Sequence, residues 1–550
     1  MKPHAKRLMA LLIGAALTAG CTAPETGAPN PGEAPPAVAE KPVQELTWNM
    51  GSEPKTMSPQ MNAALDAANV INNLFSGLMR EKDGRMVPEI AERYEISQDQ
   101  LTYTFYLRDT QWSDGTPLTA GDFEYAWKWV LNPANRVEYA FQLFYIQGAQ
   151  DYYEGKVPAE SVGIKAINDR ILQVTLIAPT SYFLELTAFP TYFPLRQDVD
   201  RAAPAGAWSK TAEGYVCNGP FLLKSYQAGT GMILVKNPRY FNAGEVKLEK
   251  LAVLFDPDAG KALTEFEEGA LDLADSVPLE RIGELEAENE SFYIFPHIGT
   301  HFYYLNVNHP ALKDLRVRKA LSLALDRTAI VTQVTKAGQI PATGVVPLGI
   351  HDTEGAMFRE KAGSYGIPVE YADVGEARRL MTEAGYPEGK GFPELEIRVD
   401  DSNEYAAIAH FVAASWTETL GIPCRVTTYP WAVLQDLRNK GDYTVARGGW
   451  IGDYSDPMTF LDLFLSYSGN NDAHWANPQY DNLIEEARLL SGQERSDRLY
   501  AAEKLLAEEQ VVIPLYYLTD PALVTKALKG WERTGMGFWY FGRSEKVQPE

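Results

Sequence analysis

Two oppositely charged side chains in one short segment could bind the two charged ends of a small molecule. In the segment RGGWIGDYSDP, residues 447–457, Asp453 stands between the aromatic residues Trp450 and Tyr454, which suits an amino group. Arg447 lies six residues before Asp453, and a guanidinium can donate two parallel hydrogen bonds to a carboxylate. The spacing therefore predicts a site for a ligand with one positive and one negative group.

The backbone between these two side chains is also suited to ligand contact. Residues 443–446 are typical of a strand, and Gly448 and Gly449 follow, where a ligand can approach the main chain. A short peptide has both charged ends, and its main chain can pair with a strand as an added strand. The alternative interpretation is a packed corner with a surface ion pair.

The amino terminus has the pattern of a signal peptide. Positive residues precede an apolar run from Leu8 to Leu17, which is too short to span a membrane, and small residues then lead to Cys21. This arrangement resembles a bacterial lipidation site, although Thr18 occupies a position where such sites prefer an aliphatic residue. We expect residues 1–20 to be removed and Cys21 to be lipidated, with an ordinary secretory signal as the alternative.

Composition limits the partners of the remaining chain. Residues 22–42 are rich in Ala, Pro, Gly and Glu, which predicts a disordered tether. Removing residues 1–20, which carry three positive and no negative side chains, takes the formal net charge from −23 to about −26. Such acidity argues against nucleic acid as a partner. Cys217 and Cys424 would then be the remaining thiols, and the sequence leaves open whether they pair.

Several strands and helices can be predicted from local patterns. Residues 101–107 alternate as a half-buried strand, and Thr119 with Asp122 predicts a capping box that opens a helix. Asp314 predicts the start of another helix, with an apolar face that continues until Gly338. A third helix is expected over residues 480–490. With 550 residues and 11% aromatic residues, the chain is long enough for more than one domain.

Six sequence blocks together resemble one protein family. They are RGGWIGDYSDP (447–457), NVINNLFSGLMR (69–80), WSDGTPLTAGDFEYAW (112–127) with the strand before it, NGPF (218–221), KNPRYF (236–241) and DLRVRKALSLALDR (314–327). Their type, order and spacing are similar to the oligopeptide-binding proteins of ABC importers. That class of extracytoplasmic solute receptors also contains dipeptide, nickel and some sugar binders.

The resemblance implies a two-lobed, mixed α/β periplasmic-binding-protein-like fold with an extra inserted domain. Its lobes would be joined by two chain crossings near His297 and Asp520. Lobe I would comprise residues 43–66, 188–299 and 521–550, the inserted domain II residues 67–187, and lobe III residues 300–520.

The resemblance also implies the roles of individual residues. Asp453 matches the acid that pairs with the ligand's amino group. Arg447 matches a basic residue that meets the carboxyl end of peptides of some lengths, with an internal ion pair as the alternative. Other matching positions would pair with the peptide backbone, contribute from the opposite lobe or form aromatic walls: Gly449, Trp450, Ile451, Ser52, Glu53, Trp431 and Tyr125. Tyr405 stands where some relatives carry a histidine, so the preferred ligand length is expected to differ. For Trp431 and Tyr125 an ordinary core position is the alternative.

Patterns for catalysis and metal binding fit poorly. Ser52-Glu53-Pro54-Lys55 matches the S-x-x-K of serine acyl enzymes, but it follows a strand-like run and neither companion motif occurs. His297 and His301 are spaced by four, which in a strand separates them by about 13 Å, too far for one metal ion. We therefore expect no catalytic residue, no cofactor and no metal site.

The sequence predicts a monomeric, lipid-anchored receptor outside the cytoplasm that binds oligopeptides and delivers them to the membrane permease of an ABC importer. Three alternatives stay open: a receptor of the same fold for a sugar or metallophore, a receptor that senses peptide pheromones or wall peptides, and, least favoured, a serine acyl enzyme.

Overall fold

A computed structural model describes residues 43–203 and 206–548. The predicted signal peptide, Cys21 and the predicted tether lie outside the described residues. The strands are β1 (Glu45–Asn49), β2 (Met79–Lys82), β3 (Arg85–Pro88), β4 (Ala91–Ile96), β5 (Thr102–Leu107), β6 (Ile164–Asn168), β7 (Ile171–Thr175), β8 (Phe221–Gln227), β9 (Gly231–Lys236), β10 (Lys250–Leu254), β11 (Leu273–Ala274), β12 (Phe292–Leu305), β13 (Ile340–Pro341), β14 (Leu395–Asp400), β15 (Cys424–Tyr429), β16 (Val445–Ile451), β17 (Val512–Val524), β18 (Leu528–Lys529), β19 (Glu532–Arg533), β20 (Trp539–Tyr540) and β21 (Glu545–Lys546).

The α-helices are α1 (Leu65–Leu74), α2 (Ala120–Leu131), α3 (Ala149–Tyr153), α4 (Phe183–Leu186), α5 (Gln197–Ala202), α6 (Ala259–Glu267), α7 (Ile282–Glu288), α8 (Leu315–Leu323), α9 (Arg327–Ala329), α10 (Phe358–Ala362), α11 (Val374–Glu383), α12 (Asn403–Leu420), α13 (Trp431–Asn439), α14 (Met458–Leu461), α15 (Pro478–Leu489) and α16 (Gly492–Glu508).

One large sheet runs through the molecule in the order β15-β14-β16-β12-β17-β11-β1-β10-β9-β8, with β13 paired to β17. We call β11, β1, β10, β9 and β8 the first half-sheet, and β16, β14 and β15 the second half-sheet. The long antiparallel strands β12 and β17 run between them and pair with both. A separate sheet, β4-β5-β7-β6, lies within residues 91–175.

The pairing of β12 with β17 shifts register at two places, between Pro296 and Thr300 and between His301 and Phe302, and the first of these is the longer interruption. Residues 292–296 pair with 519–523, the register then shifts, and pairing resumes at Thr300 with Tyr517. At this interruption His297 Nδ1 and Asp520 Oδ2 lie 2.9 Å apart. The two residues at which the family resemblance predicts the chain crossings are therefore in contact, although the domain boundaries themselves stay a prediction.

Local sequence signals explain several of these elements. The predicted strand appears as β5, and the predicted capping box opens α2, with the Thr119 N–H donating to Asp122 Oδ2 at 2.8 Å. Asn477 caps α15 through the N–H groups of residues 479 and 480, close to where the third helix was expected. Asp314 caps α8 by accepting from the Arg316 N–H.

The prediction of a continuous helix from Asp314 to Gly338 is wrong. Helix α8 ends at Leu323, and a second cap forms at Asp326, whose side chain accepts from the Ala329 N–H at 2.8 Å. Directly after Asp326, the buried Arg327 donates to the carbonyl oxygens of Ser322 and Pro514, at 3.1 and 2.7 Å. These tertiary hydrogen bonds favour a break that an apolar periodicity alone does not reveal.

Candidate ligand-binding site

Strand β16 exposes one main-chain edge. The Gly452 N–H donates to the Ile298 carbonyl of β12, so in the alternating pattern of a strand the N–H and C=O groups of Gly449 and Ile451 point away from β12. On that outer side β14 pairs with β16 only at residues 445 and 446. Beyond them, no described strand pairs with the outer edge, which leaves room for an added strand.

The two glycines of β16 have different roles. A Cβ at Gly448 would lie 2.5 Å from Tyr304 Cε2, so packing against the Tyr304 ring requires a glycine there. A Cβ at Gly449 would lie 3.1 Å from the Thr300 carbonyl oxygen, a tight but smaller conflict. The glycine pair thus allows β16 to approach β12 closely, in addition to the ligand access predicted from the sequence.

Asp453 lies just after the open edge, and its carboxylate has no partner in the described part of the chain. Its N–H donates to the Thr459 hydroxyl oxygen at 3.1 Å, and the Trp450 ring N–H donates to the same oxygen at 3.2 Å, so Thr459 fixes both residues. Among residues 43–203 and 206–548, the Asp453 carboxylate has no hydrogen-bond or ion-pair partner. Burial raises its pKa to about 6. A cation bound here would restore the charged form.

The aromatic surroundings of Asp453 differ in part from the sequence expectation. Tyr454 is buried and its ring stacks on Tyr182, with centroids 4.6 Å apart, so it supports the segment from behind. Tyr139 and Tyr145 also lie near Asp453. Burial raises the pKa of both tyrosines, and the charge of Asp453 adds to this effect. Sequence reasoning missed both tyrosines, which are more than 300 residues away in the chain.

Arg447 lies at the other end of the open edge among aromatic rings. Its guanidinium carbon is 3.9 Å from the Tyr405 ring centroid and 5.2 Å from that of Trp431. Asp400, at the end of β14, is 3.9 Å from Arg447. The structure therefore brings together three residues that the sequence named for this site, Arg447, Tyr405 and Trp431, and adds Asp400.

His301 extends this group on the neighbouring strand. Its ring stacks on Tyr516 and Tyr405, with centroids 4.8 and 5.1 Å away, and burial together with the Arg447 charge holds its pKa well below the ordinary value. Four buried polar atoms in this group lack a hydrogen-bond partner in the described part of the chain: His301 Nε2, the Tyr303 hydroxyl, Asp400 Oδ1 and Arg447 Nε. Such atoms usually have a partner, so the group suits a polar ligand atom.

Three other predicted site residues lie elsewhere. Glu53 follows β1 and accepts hydrogen bonds from the Tyr226 hydroxyl and, at 2.9 Å, the Gly229 N–H, so it fixes the β8–β9 turn. Ser52 donates to Asp66 Oδ2 at 3.4 Å. Tyr125, on α2, donates to Asp200 at 2.7 Å. The contacts of these three do not reach Asp453 or Arg447, and their ligand roles stay predictions.

The patterns for other chemistry are not organised as sites. Ser52 and Lys55 lie outside any helix, as the sequence indicated. His297 and His301 both lie on β12, and within the described ranges no three His, Cys, Asp or Glu side chains converge as metal ligands do. Cys217 and Cys424 are both free thiols, which answers the open question of their pairing. Across residues 43–203 and 206–548, no helix has both the length and the apolar character needed to cross a lipid bilayer.

Comparison with known proteins identifies the family. Residues 85–472 match the family described as "Bacterial extracellular solute-binding proteins, family 5 Middle". The chain is 34% identical over 508 residues to the oligopeptide-binding protein OppA of Bacillus subtilis (strain 168), covering 90% of this chain and 91% of that protein.

Two solved structures share the fold at different levels of similarity. The unliganded open form of the periplasmic murein tripeptide binding protein MppA gives a TM-score of 0.82 at 28% identity, covering 92% of this chain and 98% of that one. The complex of Haemophilus influenzae OppA with the peptide RPPGFSPFR gives 0.67 at 29% identity, covering 92% and 99%. These matches confirm the two-lobed, mixed α/β fold, and the chain belongs to the bacterial extracellular solute-binding proteins of family 5.

Proposed function

We propose that this protein is an extracytoplasmic receptor that binds oligopeptides and delivers them to an ABC importer. The observation that carries the proposal is the open edge of β16, which has the unpaired Asp453 carboxylate at one end and Arg447 at the other. A peptide in extended conformation offers complementary groups to all three features. The family and its relative OppA support the same conclusion.

In this proposal the peptide joins the second half-sheet as an added strand. The main-chain groups of Gly449 and Ile451 exchange hydrogen bonds with the ligand backbone, which is common to all peptides, and so they bind without regard to sequence. Asp453 accepts from the ligand ammonium group. Because Asp453 is largely buried, this charge pair contributes strongly, and removing one partner from such a pair costs about 3 to 5 kcal/mol.

The other end of the ligand would face Arg447. Its guanidinium, which lies against the rings of Tyr405 and Trp431, would donate to the carboxyl end of the peptide. An extended chain rises about 3.3 Å per residue, so the six-residue separation of Arg447 and Asp453 corresponds to at most about 20 Å. An extended ligand of about six residues therefore spans the full separation of the two charges. A shorter ligand requires the Arg447 side chain to extend toward its carboxyl end.

Closure of the two lobes would complete the site. We infer that residues 43–66, 188–299 and 521–550 form lobe I, 67–187 the inserted domain and 300–520 lobe III, with Ser52 and Glu53 contributing from lobe I. The higher TM-score to the unliganded open form than to the peptide complex supports an open arrangement of this chain. Ligand contacts from both lobes then favour the closed state, by no more than the difference in affinity between the two states.

Delivery to a permease requires the receptor to stay near the membrane. We infer that residues 1–20 are removed, that Cys21 carries the lipid and that residues 22–42 form the tether of a monomeric receptor, on the strength of the sequence pattern. A Cys21→Ser variant should then move from the membrane fraction to the soluble extracytoplasmic fraction. Equal membrane association of the variant and the parent would contradict lipidation at Cys21.

The main test is calorimetry of a tripeptide with a free or an acetylated amino end. We expect acetylation and the substitution Asp453→Asn each to weaken binding by at least about a hundredfold, because each leaves one member of a buried charge pair alone. The exposed Asp497→Asn on α16 is the matched control and should bind like the parent protein. Equal binding of free and acetylated peptides would overturn the proposal.

Native mass spectrometry of the protein with co-purified ligand distinguishes the kinds of peptide receptor. A nutrient receptor that holds the peptide main chain should carry a mixture of peptides of similar length. A single bound species would instead indicate a sensing receptor, and a bound sugar or metal chelate would contradict peptide binding.

A further inference from the structure

A cavity of about 500 Å³ lies beside the proposed site, where three parts of the chain meet. The β2–β3 hairpin and the segment around α4 form one side, Phe295 and Pro296 of β12 another, and residues 531–540 a third. Tyr454 and Ser455 also line it. The peptide proposal above makes no use of this cavity.

The cavity is adjacent to the group that would hold the ligand's amino end. Tyr454 and Ser455 directly follow Asp453 in the chain. Phe189, another lining residue, stacks on Tyr139 with ring centroids 5.8 Å apart, and Tyr139 is close enough to Asp453 for the aspartate charge to raise its pKa, after burial. In a peptide, the first side chain leaves from the carbon that carries the amino group. That side chain is therefore the part of the ligand nearest to the cavity.

Two carboxylates line the cavity without an ion-pair partner in the described residues. Glu81 accepts from the Ser455 hydroxyl at 2.8 Å and from the Gly535 N–H at 3.4 Å. Glu185, on α4, has a solvent-excluded Oε2 with no hydrogen-bond partner in the same part of the chain. Burial of such oxygens without a partner is costly, which indicates that a donor is missing.

The nearby arginines are already engaged by other acids. Arg80 lies 3.1 Å from Glu89, Arg533 contacts Asp520, and Arg495 lies 2.7 Å from Asp456. Lys82, the last residue of β2, and Asp83, in the hairpin turn, also line the cavity and carry opposite charges. The charged groups around the cavity thus leave Glu81 and Glu185 uncompensated.

The state of Glu185 follows from these surroundings. Burial is the main cause that raises its pKa to about 8, and the charges of Asp456 and Glu81 act in the same direction, while Arg495 opposes them. Burial also raises the pKa of Glu81, against its two hydrogen bonds. In the free protein Glu185 therefore holds a proton at neutral pH, which a bound cation could replace.

We propose that this cavity binds the cationic side chain of a lysine or arginine at the first position of the peptide, through Glu81 and Glu185. The inference rests on the peptide-binding function proposed above and adds to it a preference for peptides that begin with a basic residue. The ammonium or guanidinium group would donate to Glu185 Oε2 and to Glu81, and the aromatic residues of the cavity would cover the aliphatic part of the side chain.

The test compares tripeptides in which lysine is replaced by norleucine, which has a similar apolar chain and no charge. Calorimetry at pH 7 gives the norleucine-to-lysine ratio of dissociation constants with the pair at position 1, 2 or 3. We expect lysine at position 1 to bind about tenfold or more tightly than norleucine, and a smaller ratio at positions 2 and 3. Free n-butylamine, tested with the norleucine peptide bound, shows whether the cavity accepts a cation that is not part of the peptide.

Two variants connect the preference to the cavity. Glu185→Gln and Glu81→Gln should each reduce the ratio at position 1, and the double variant should bring it close to one. Glu160→Gln, an exposed substitution in the inserted region, is the matched control and should keep the parental ratio. Binding of the lysine peptide to the parent protein should also release a proton from Glu185, seen as a dependence of the heat on buffer ionisation, and Glu185→Gln should reduce this release to the small amount that the norleucine peptide also shows from Asp453.

Each outcome has one meaning. If neither peptide binds the parent protein, the peptide-binding function itself fails. If both bind with similar affinity, or if the double variant keeps the full preference for lysine, the inference about the cavity fails while the peptide function stands. Binding of n-butylamine without a lysine preference would also overturn the inference, since the cavity would then be a site for a separate amine.

Discussion

At the scale of single residues, the two charged ends of the proposed site respond differently to their surroundings. Arg447 is covered by the rings of Tyr405 and Trp431 and has Asp400 at 3.9 Å. Asp453 has no partner among the described residues, and burial raises its pKa to about 6. Changes of pH in the mild acid range should therefore act on the end of the site that binds the amino group of the ligand.

The first prediction concerns the pH dependence of affinity. Binding of an ammonium group lowers the pKa of Asp453 below its free value of about 6, so affinity is complete above that value and falls as the pH decreases through it. A trialanine peptide keeps both terminal charges between pH 7 and 5. Calorimetry should show about tenfold weaker binding at pH 5 than at pH 7, since one pH unit below the pKa corresponds to a factor of ten.

The control for this prediction is Asp453→Asn, which should bind weakly at both pH values with little change between them. A peptide that begins with norleucine has no cationic first side chain, so its affinity contains no contribution from Glu185. An affinity of the parent protein that is constant from pH 7 to 5 would show that Asp453 does not titrate on ligand binding.

How far the sequence predicts the site depends on which contacts are local. Asp453 and Arg447 share one segment, and the family resemblance added Tyr405 and Trp431, which do lie on Arg447. Asp400 and His301 join this group only because β14, β16 and β12 are neighbours. An acid at the end of a buried parallel strand is a usable signal for Asp400. No comparable local signal marks Glu185.

At the scale of secondary structure, the open edge of β16 determines how a peptide can bind. The N–H and C=O groups of Gly449 and Ile451 face away from β12, and no described strand covers them. A ligand that pairs there must present its own main-chain donors and acceptors at alternate residues.

The second prediction tests this edge through the ligand, so that the fold of the protein is unchanged. Tripeptides with a single N-methylated amide, at residue 2 or at residue 3, should differ in affinity for the parent protein. The methyl group that faces β16 removes a donor and clashes with the strand, and we expect at least about tenfold weaker binding for that isomer. Equal calorimetric affinities of both isomers and of the unmethylated peptide would contradict strand addition.

The third prediction concerns helix α16, whose buried Glu503 contacts the segment 346–365. Glu503 on α16 is buried, contacts Arg359, and accepts from the Tyr365 hydroxyl at 2.7 Å and the Val346 N–H at 2.8 Å. Glu503→Ala would leave the Arg359 charge buried without its acid. We expect a loss of about 3 to 5 kcal/mol in the free energy of unfolding, measured by urea denaturation.

Glu508→Gln on the same helix is the control for this measurement. Its side chain is 58% exposed beside Lys504, and such surface pairs contribute at most about 1 kcal/mol. Similar stabilities of the Glu503→Ala and Glu508→Gln variants would show that the buried pair does not hold α16 in place.

At the scale of the whole molecule, the arrangement of the two half-sheets predicts a closing motion. The chain superimposes more closely on an unliganded open structure than on a peptide complex. The fourth prediction is therefore that saturating trialanine lowers the radius of gyration in small-angle X-ray scattering. Asp453→Asn at the same peptide concentration should stay as extended as the free protein, and identical scattering of the parent with and without peptide would argue against closure.

The architecture was predictable from sequence to a limited depth. Six blocks spread along the chain identified the two-lobed fold, while local patterns located β5, α2 and α15. The break after Leu323 and the shift in register between β12 and β17 were not predictable, because each depends on contacts with residues far away in the chain, such as Arg327 with Pro514.

The interruption between β12 and β17 has a mechanical consequence. The two half-sheets are connected through β12 and β17. Bending is easiest in the short stretch at His297 and Asp520, where the hydrogen bonds between these two strands are interrupted. Each half-sheet would then move as a rigid unit, whichever peptide is bound between them. The permease that receives the peptide would then recognise only the closed state of the receptor. One docking surface on the permease could therefore serve many different peptides.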